Sequence, residues 1–236
     1  HNEKAELDFL RAWDDTSNRQ IAALTPTDSA SLQEYRRVIG GAFEIMIGRG
    51  LPGKEAIAYE MLTEEDQGTY TKYAARLRFA RYGEDVPAAF LNPDNWNQQV
   101  VLWFDGTGKS GLYQADGSPI APVAALLKAG FAVGSIDMLY TGEFTENGQP
   151  LAEARTVNNP REFAGFTLGY NHPLFSQRTH DVLTLLSFAM NHPLQPKAIH
   201  LVGVHGAAPM AMAACAVAPG AVLSLAVDTQ GYRFGS

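Results

Sequence analysis

The chain has 236 residues and a net charge of −7, with 46% hydrophobic and 18% charged residues. This composition predicts an ordered domain with a substantial core, and it argues against nucleic acid as a partner because phosphate binding needs a concentrated basic surface. Cys215 is the only cysteine, which excludes an intrachain disulfide and a zinc–thiolate cluster. No run approaches the ~18 apolar residues of a transmembrane helix, so no membrane partner is expected.

The N-terminal region has the pattern of amphipathic helices. Apolar residues recur at three- and four-residue steps within 5–13 and 32–47, and Thr27, Asp28 and Ser29 offer an N-cap before the second segment. We predict a helical lead-in over residues 1–60 and one main α/β domain over residues 61–236.

From residue 70 the hydrophobic period becomes that of a sheet. Residues 70–82 and 86–91 predict an antiparallel pair of strands. Strand patterns then alternate with helical ones: strands at 100–104, 131–138, 198–204 and 221–227, and helices at 121–128, 176–190 and 210–217. This alternation predicts a mostly parallel sheet with right-handed crossovers. The long, irregular segment 140–170 is typical of a lid, a binding loop or a small insertion.

Residues 203–207 read Gly-Val-His-Gly-Ala, between a β-prone run and a small, apolar helical segment. A strand that enters a helix through a corner of small residues is the layout of a nucleophile elbow, Gly-x-Ser-x-Gly. His205 occupies the central position and is therefore predicted as the nucleophile position. Three interpretations remain open: His205 is a covalent nucleophile, a ligand or base in other chemistry, or the mark of a site that has lost hydrolysis.

The loop after the strand at 100–104 ends in Gly-Lys-Ser and invites comparison with a phosphate-binding loop. Trp103 stands where that motif needs its first glycine, so we reject a nucleotide site. We expect the loop to supply a backbone N–H to an oxyanion hole, from Gly106 or Thr107, with a plain glycine-rich connection as the alternative.

Charged residues at strand ends and at the start of the long helix are interpreted as structural. Asp137 and Asp228 each end a strand and are expected to cap or brace the following loop, although Asp228 could instead orient a histidine. Arg178, His180 and Asp181 crowd the start of the helix at 176–190, and we interpret them as a network that ties the preceding loop to the helix.

Four segments match a known family: 101–110, 134–143, 170–181 and 203–211. Over roughly residues 70 to 230 the chain resembles the α/β-hydrolase superfamily, specifically acetylxylan-esterase-like proteins of environmental bacteria. The Tyr-Asn…Arg…Asp block at 170–181 and the elbow followed by Pro-Met are the more specific parts of the match.

The resemblance implies a three-layer, mostly parallel sheet, ester hydrolysis without a metal or other cofactor, and a secreted or periplasmic location. The family's nucleophile, a serine, maps to His205, and the backbone amides of Gly206 and of the Gly106 loop map to the two halves of the oxyanion hole. In such chains the acid and histidine of the triad follow the nucleophile. They and the later strands are therefore expected beyond residue 236, so that the sheet formed by these 236 residues stops after about its sixth strand.

Two functions follow from this interpretation. The first is a carboxylic-ester hydrolase that acts at His205 on a small-molecule ester or an acylated carbohydrate. The alternative is a catalytically inactive module that binds a carbohydrate or another subunit, with a partner chain or a missing segment completing the sheet. Tyr140, Tyr170 and Trp103 are predicted to bind substrate through their aromatic rings.

Overall fold

The computed structural model describes residues 3–232, apart from residues 55, 149, 151–168 and 170. Internal contacts divide the chain into two units, residues 1–45 and residues 46–236. The division at residue 60 stays a prediction. Among the described helices, none combines the length and the apolarity that crossing a bilayer requires.

The N-terminal unit is helical, as its apolar periodicity predicts. Helix α1 spans Glu3–Ala23, helix α2 spans Ser29–Tyr35, and a π-helical turn at Arg36–Gly40 leads into helix α3, Gly41–Ile47. Asp28 caps α2: its carboxylate accepts the Ser31 N–H at 2.7 Å, and the Ser31 hydroxyl accepts the Asp28 N–H at 2.9 Å. This reciprocal capping box confirms the N-cap predicted at residues 27–29.

A seven-stranded mixed sheet with the order β1-β2-β3-β5-β4-β6-β7 forms the centre of the second unit. Its strands are β1 Ala58–Asp66, β2 Tyr70–Phe79, β3 Glu84–Pro93, β4 Gln99–Asp105, β5 Ala132–Ile136, β6 Ala198–Val204 and β7 Ser224–Val227. Strands β2 and β3 pair antiparallel, whereas β4, β5, β6 and β7 run parallel to one another. The predicted antiparallel pair and the predicted parallel sheet are both confirmed.

Helices cover both faces of the sheet and complete three layers. Helix α4 spans Ala121–Lys128, α5 spans Leu174–Met190 and α6 spans Ala208–Val217. Val123 and Leu127 of α4 pack in a core cluster with Trp103. On α5, the ring of Phe188 lies 5.4 Å from the ring of Phe90. Cross-strand pairing puts Trp103 and Phe90 on opposite faces, because successive residues of a strand point to alternate sides.

Strand β1 corrects the sequence-based assignment, which contains no strand here and extends the helical lead-in to residue 60. All nine residues of β1 are exposed, and among the strands that the structure describes it pairs with β2 alone. A strand without a buried face has no alternation of apolar and polar residues, so the period-two signal that reveals other strands is absent. Strands β2 to β6 have buried residues, and they and β7 are found near their predicted positions.

A buried polar network joins the start of α5 to the loop after β5. Asp181 accepts the Leu139 N–H at 2.8 Å, and the Arg178 guanidinium donates to the Leu139 carbonyl at 2.8 Å. His180, which is fully buried, pairs through Nδ1 with Glu84 at the start of β3. Arg178 and Asp181 thus hold the loop against the helix, as the predicted network requires, whereas His180 joins the helix to β3.

We predict that Asp181→Asn flattens the pH dependence of folding stability. Burial raises the pKa of Asp181 to about 8, against the opposing effect of the Leu139 N–H. Between about pH 4 and pH 8 the native carboxyl therefore holds a proton that the unfolded chain has lost, so the free energy of unfolding falls as pH rises, by up to about 1.4 kcal/mol per pH unit. Asparagine keeps an oxygen for the Leu139 N–H but does not titrate.

Urea unfolding from pH 5 to pH 8 measures this difference in slope. The exposed Asp94→Asn is the matched control, because it removes a carboxylate that water already solvates. Equal slopes in the wild type and in Asp181→Asn would contradict the prediction.

Candidate active site

The elbow predicted at residues 203–207 is a sharp turn between β6 and α6. His205 has φ +48° and Gly206 has φ +90°, so both adopt the left-handed region. Gly203 lies where a Cβ would come within 3.0 Å of Ala208 and Ala211, so a small residue lets the helix fold back closely on the strand. A non-glycine residue with positive φ stores backbone strain, which is tolerated chiefly at functional sites.

A buried carboxylate from the neighbouring strand holds the His205 ring. Asp105 ends β4, and the β4–β6 pairing sets it opposite Val204. One oxygen of Asp105 lies 2.7 Å from Nδ1 of His205, and the other accepts the N–H and the hydroxyl of Thr107, each at 2.8 Å. The Asp105 side chain is 3% exposed and the His205 side chain 66% exposed. The pair is therefore rigid at its acid end and accessible at its imidazole end.

The Asp105 hydrogen bond decides which nitrogen of His205 is reactive. A carboxylate can only accept, so in the neutral imidazole the hydrogen resides on Nδ1 and the lone pair on Nε2. The hydrogen bond and the negative charge of Asp105 raise the pKa of His205, and the charge of Asp228 adds to the effect. Nε2 is thus a basic nitrogen on an exposed ring.

The loop after β4 contains two candidate donors for an oxyanion hole, the backbone N–H groups of Gly106 and Thr107. The Thr107 N–H is already bound to Asp105. The Gly106 N–H directly follows the last pair of the β4–β6 ladder, Asp105 opposite Val204, whereas in the part of the chain that the structure describes the Gly206 N–H donates to no acceptor. Gly106 also packs on the backbone carbonyl of His205, where a Cβ would overlap it. An unbound donor therefore belongs to Gly206, one of the two residues predicted to form the oxyanion hole.

Other charged groups brace the loops at this edge of the sheet. Asp137, 1% exposed, accepts the Lys109 N–H at 2.8 Å and the Glu143 N–H at 3.0 Å, and it pairs with the Lys109 ammonium. The Lys109 ammonium also contacts the Glu143 carboxylate, so acidic groups surround it and the rejected phosphate-binding interpretation gains no support. Asp228 accepts the Gln230 N–H at 3.0 Å and caps its turn. The bracing roles predicted for Asp137 and Asp228 are confirmed.

Of the three aromatic residues predicted to bind substrate, the structure corrects Trp103 and leaves Tyr140 and Tyr170 as predictions. Trp103 is 8% exposed and packs among core residues of the α4 face, so its ring offers no surface to a sugar. Tyr140 is half-buried after β5 with φ +62°. Tyr170 lies outside the described residues. Cys215 sits within α6, where burial raises the pKa of its thiol to about 11, so it supplies no thiolate at neutral pH.

Comparison with solved structures shows an α/β-hydrolase-like fold. A candidate acetyl xylan esterase from Bacteroides fragilis matches with a TM-score of 0.59 at 16% identity, covering 83% of this chain and 53% of its own. Acetyl xylan esterase 1 from Thermoanaerobacterium sp. matches with a TM-score of 0.54 at 15% identity, covering 78% and 56%. A promiscuous esterase from a marine bacterial metagenome gives a TM-score of 0.50 at 8% identity, covering 79% and 55%.

These neighbours define the class of the protein at the level of fold: an esterase-like α/β architecture. The chain spans about half the length of each of them. Searches with protein-family models and against curated protein sequences gave no match.

We predict that Gly106→Ala destabilises the protein and displaces the elbow. The added methyl overlaps the backbone carbonyl of His205. A Cβ is fixed to its own backbone and a carbonyl is fixed to its own, so neither group can rotate away. Overpacking of this kind costs about 1–3 kcal/mol. Thermal unfolding measures the loss, with Gly53→Ala as the control because its new Cβ would meet no atom within 4 Å. Equal midpoints for the two variants would show that the Gly106 loop is free to move.

Proposed function

We propose that the protein hydrolyses carboxylic esters, with His205 as the acyl-accepting group. The observation that carries the proposal is the 2.7 Å contact between Asp105 and Nδ1 of His205 at a strained elbow. This contact fixes the orientation of the exposed His205 ring and leaves the Nε2 lone pair accessible to an ester. The esterase-like fold supports the same reaction class, with a small-molecule ester or an acylated carbohydrate as substrate.

The reaction starts when the Nε2 lone pair attacks the carbonyl carbon of the ester. The new C–N bond places negative charge on the carbonyl oxygen. The N–H group of Gly206 stabilises that oxyanion, and the loop at Gly106 is proposed to supply the second donor. The intermediate then collapses, and the alcohol leaves with a proton taken from water. The product is an acyl-imidazolium whose Nδ1–H remains bound to Asp105, so the buried carboxylate offsets the positive charge.

Water completes the cycle. Its addition to the acyl carbon breaks the C–N bond and releases the carboxylic acid, and the remaining proton goes to the hydroxide left when water protonated the alcohol, which returns neutral His205. Neutral imidazole attacks through its Nε2 lone pair and loses no proton, so unlike a hydroxyl it needs no activating base, and the acyl-imidazole that it forms hydrolyses readily. Histidine at the position of the family's serine is thus compatible with turnover by the two residues that the structure brings together.

The carbohydrate part of the proposal rests on the resemblance and on the names of two structural neighbours, which are acetyl xylan esterases or candidates for that activity. Tyr140 follows β5 at the same edge of the sheet as His205 and remains a proposed contact for a sugar ring. The alternative function, a non-catalytic binding module, uses the same edge without turnover and is one outcome of the following test.

We predict that His205→Ala lowers kcat/KM for p-nitrophenyl acetate by at least about 100-fold, because the substitution removes the attacking nitrogen. Exposed imidazoles react slowly with this ester on their own, so the matched control is His172→Ala, which removes another exposed ring. The control should retain wild-type activity.

Intact mass after a brief incubation with the ester distinguishes the mechanisms. A gain of one acetyl group that maps to His205 supports the nucleophile, whereas turnover without that adduct would assign His205 to water activation. Activity equal in wild type and His205→Ala would contradict the proposal and favour the binding module.

We predict that Asp105→Asn moves the pH–rate profile towards lower pH and lowers its plateau. Only neutral His205 attacks, so the wild-type rate rises with pH through the raised pKa of His205, above its usual 6.5. Asparagine removes the carboxylate that raises this pKa, and the variant imidazole becomes neutral at lower pH. The plateau falls because the acyl-imidazolium loses its counter-charge. A profile with an unchanged midpoint would show that Asp105 does not act through His205.

A further inference from the structure

An aromatic-walled cavity of about 250 Å³ lies between the sheet and the C-terminal half of α5. Its floor comes from β4 and β5, where Gly134 leaves room for the ring of Phe90. The cavity contacts Val100 and Leu102 near the start of β4, whereas Asp105 ends that strand. At about 3.3 Å per residue, Leu102, the nearer of the two, is about 10 Å from Asp105 along the strand, and the two side chains point to opposite faces of the sheet. The cavity is therefore separate from the His205 site.

Three aromatic rings from three different elements form one wall of the cavity. Tyr59 of β1 stacks on Phe188 of α5, with ring centroids 5.2 Å apart and planes 13° from parallel. Phe90 of β3 meets the same Phe188 ring at 5.4 Å. Tyr59 and Leu194, which are 43% and 59% exposed, form the rim, so the cavity is open to solvent.

The lining residues carry no charged side chain among those that the structure describes. His192, at the end of α5, is the one titratable base of the lining, and burial lowers its pKa, so the ring is neutral at pH 7. Its Nδ1 accepts the Leu194 N–H at 3.3 Å, which leaves the ring hydrogen on Nε2. The indole N–H of Trp96 already donates to the Gln99 carbonyl at 3.0 Å. His192 thus retains the capacity to donate one hydrogen bond.

We infer that this cavity binds a small, uncharged aromatic molecule that carries one hydrogen-bond acceptor. The volume suits a single substituted ring, since apolar cavities of about 150 Å³ already hold benzene. The stacked rings of Tyr59 and Phe188 provide flat apolar surfaces for it, and Nε2–H of His192 is the matching donor. A charged group would lose its hydration there without gaining a counter-ion.

Fluorine NMR of 4-fluorophenol titrated with the full chain tests the inference. We expect saturable broadening and shift of the ligand signal with a Kd on the order of 1 mM or below, as suits so small a ligand. The probe 4-fluorobenzoate has the same ring with a negative charge, and it should bind at least about tenfold more weakly.

Two variants locate the site. Tyr59→Ala removes an exposed wall residue and should weaken 4-fluorophenol binding about fivefold through lost stacking. The matched control is Tyr232→Ala, at a tyrosine of nearly equal exposure, 42%, that does not line the cavity. Ala189→Leu adds bulk from α5 into the cavity and should abolish binding, provided that circular dichroism shows a native fold.

The inference is overturned by absent or non-saturable broadening, by equal binding of the two probes, or by equal effects of Tyr59→Ala and Tyr232→Ala. His205→Ala should leave 4-fluorophenol binding unchanged, and Tyr59→Ala should leave ester hydrolysis unchanged. The two variants therefore test the cavity and the ester hydrolysis independently of each other.

Discussion

The parallel pairing of β4 with β6 is the constraint on which the site depends. The ladder runs in register from Gln99 opposite Ala198 to Asp105 opposite Val204, so both strands end at the same level. The carboxylate of Asp105, which ends β4, therefore lies beside the turn at His205, which follows β6. Since strands lie about 4.8 Å apart, the Asp105 carboxylate can reach the ring of His205 without leaving the core. A one-residue slip would turn Asp105 to the other face and separate the pair.

Backbone geometry on both sides of this pair keeps it in place. The turn at His205 and Gly206 has positive φ at both residues, and the small residues Gly203 and Gly106 let neighbouring backbone pack against it. The buried Asp137 binds two backbone N–H groups and the Lys109 ammonium, which fixes the adjacent loops. The site is therefore supported by hydrogen bonds of loops as well as by the sheet.

The two ends of the parallel strands carry different chemistry. At the carboxyl ends, Asp105 and Asp228 place negative charge near a basic imidazole. At the amino ends, the cavity against α5 is aromatic and uncharged in its described lining. Burial has opposite consequences at the two ends. It excludes water from Asp105 so that its hydrogen bond to His205 is strong, and it lowers the pKa of His192 so that this ring stays neutral.

Periodicity and turn residues by themselves determined most elements of this protein. Helix α4 and strand β6 were found at their predicted bounds, because a period of 3.6 or an apolar run is local information. The elbow at residues 203–207 was also predicted, because small residues at a turn between a strand and a helix are a local signature. Tertiary structure alone showed that Asp105, one hundred positions from His205, is its partner. It also buried Trp103 and added the exposed strand β1. Pairing between distant strands decides such contacts, and no local pattern encodes it.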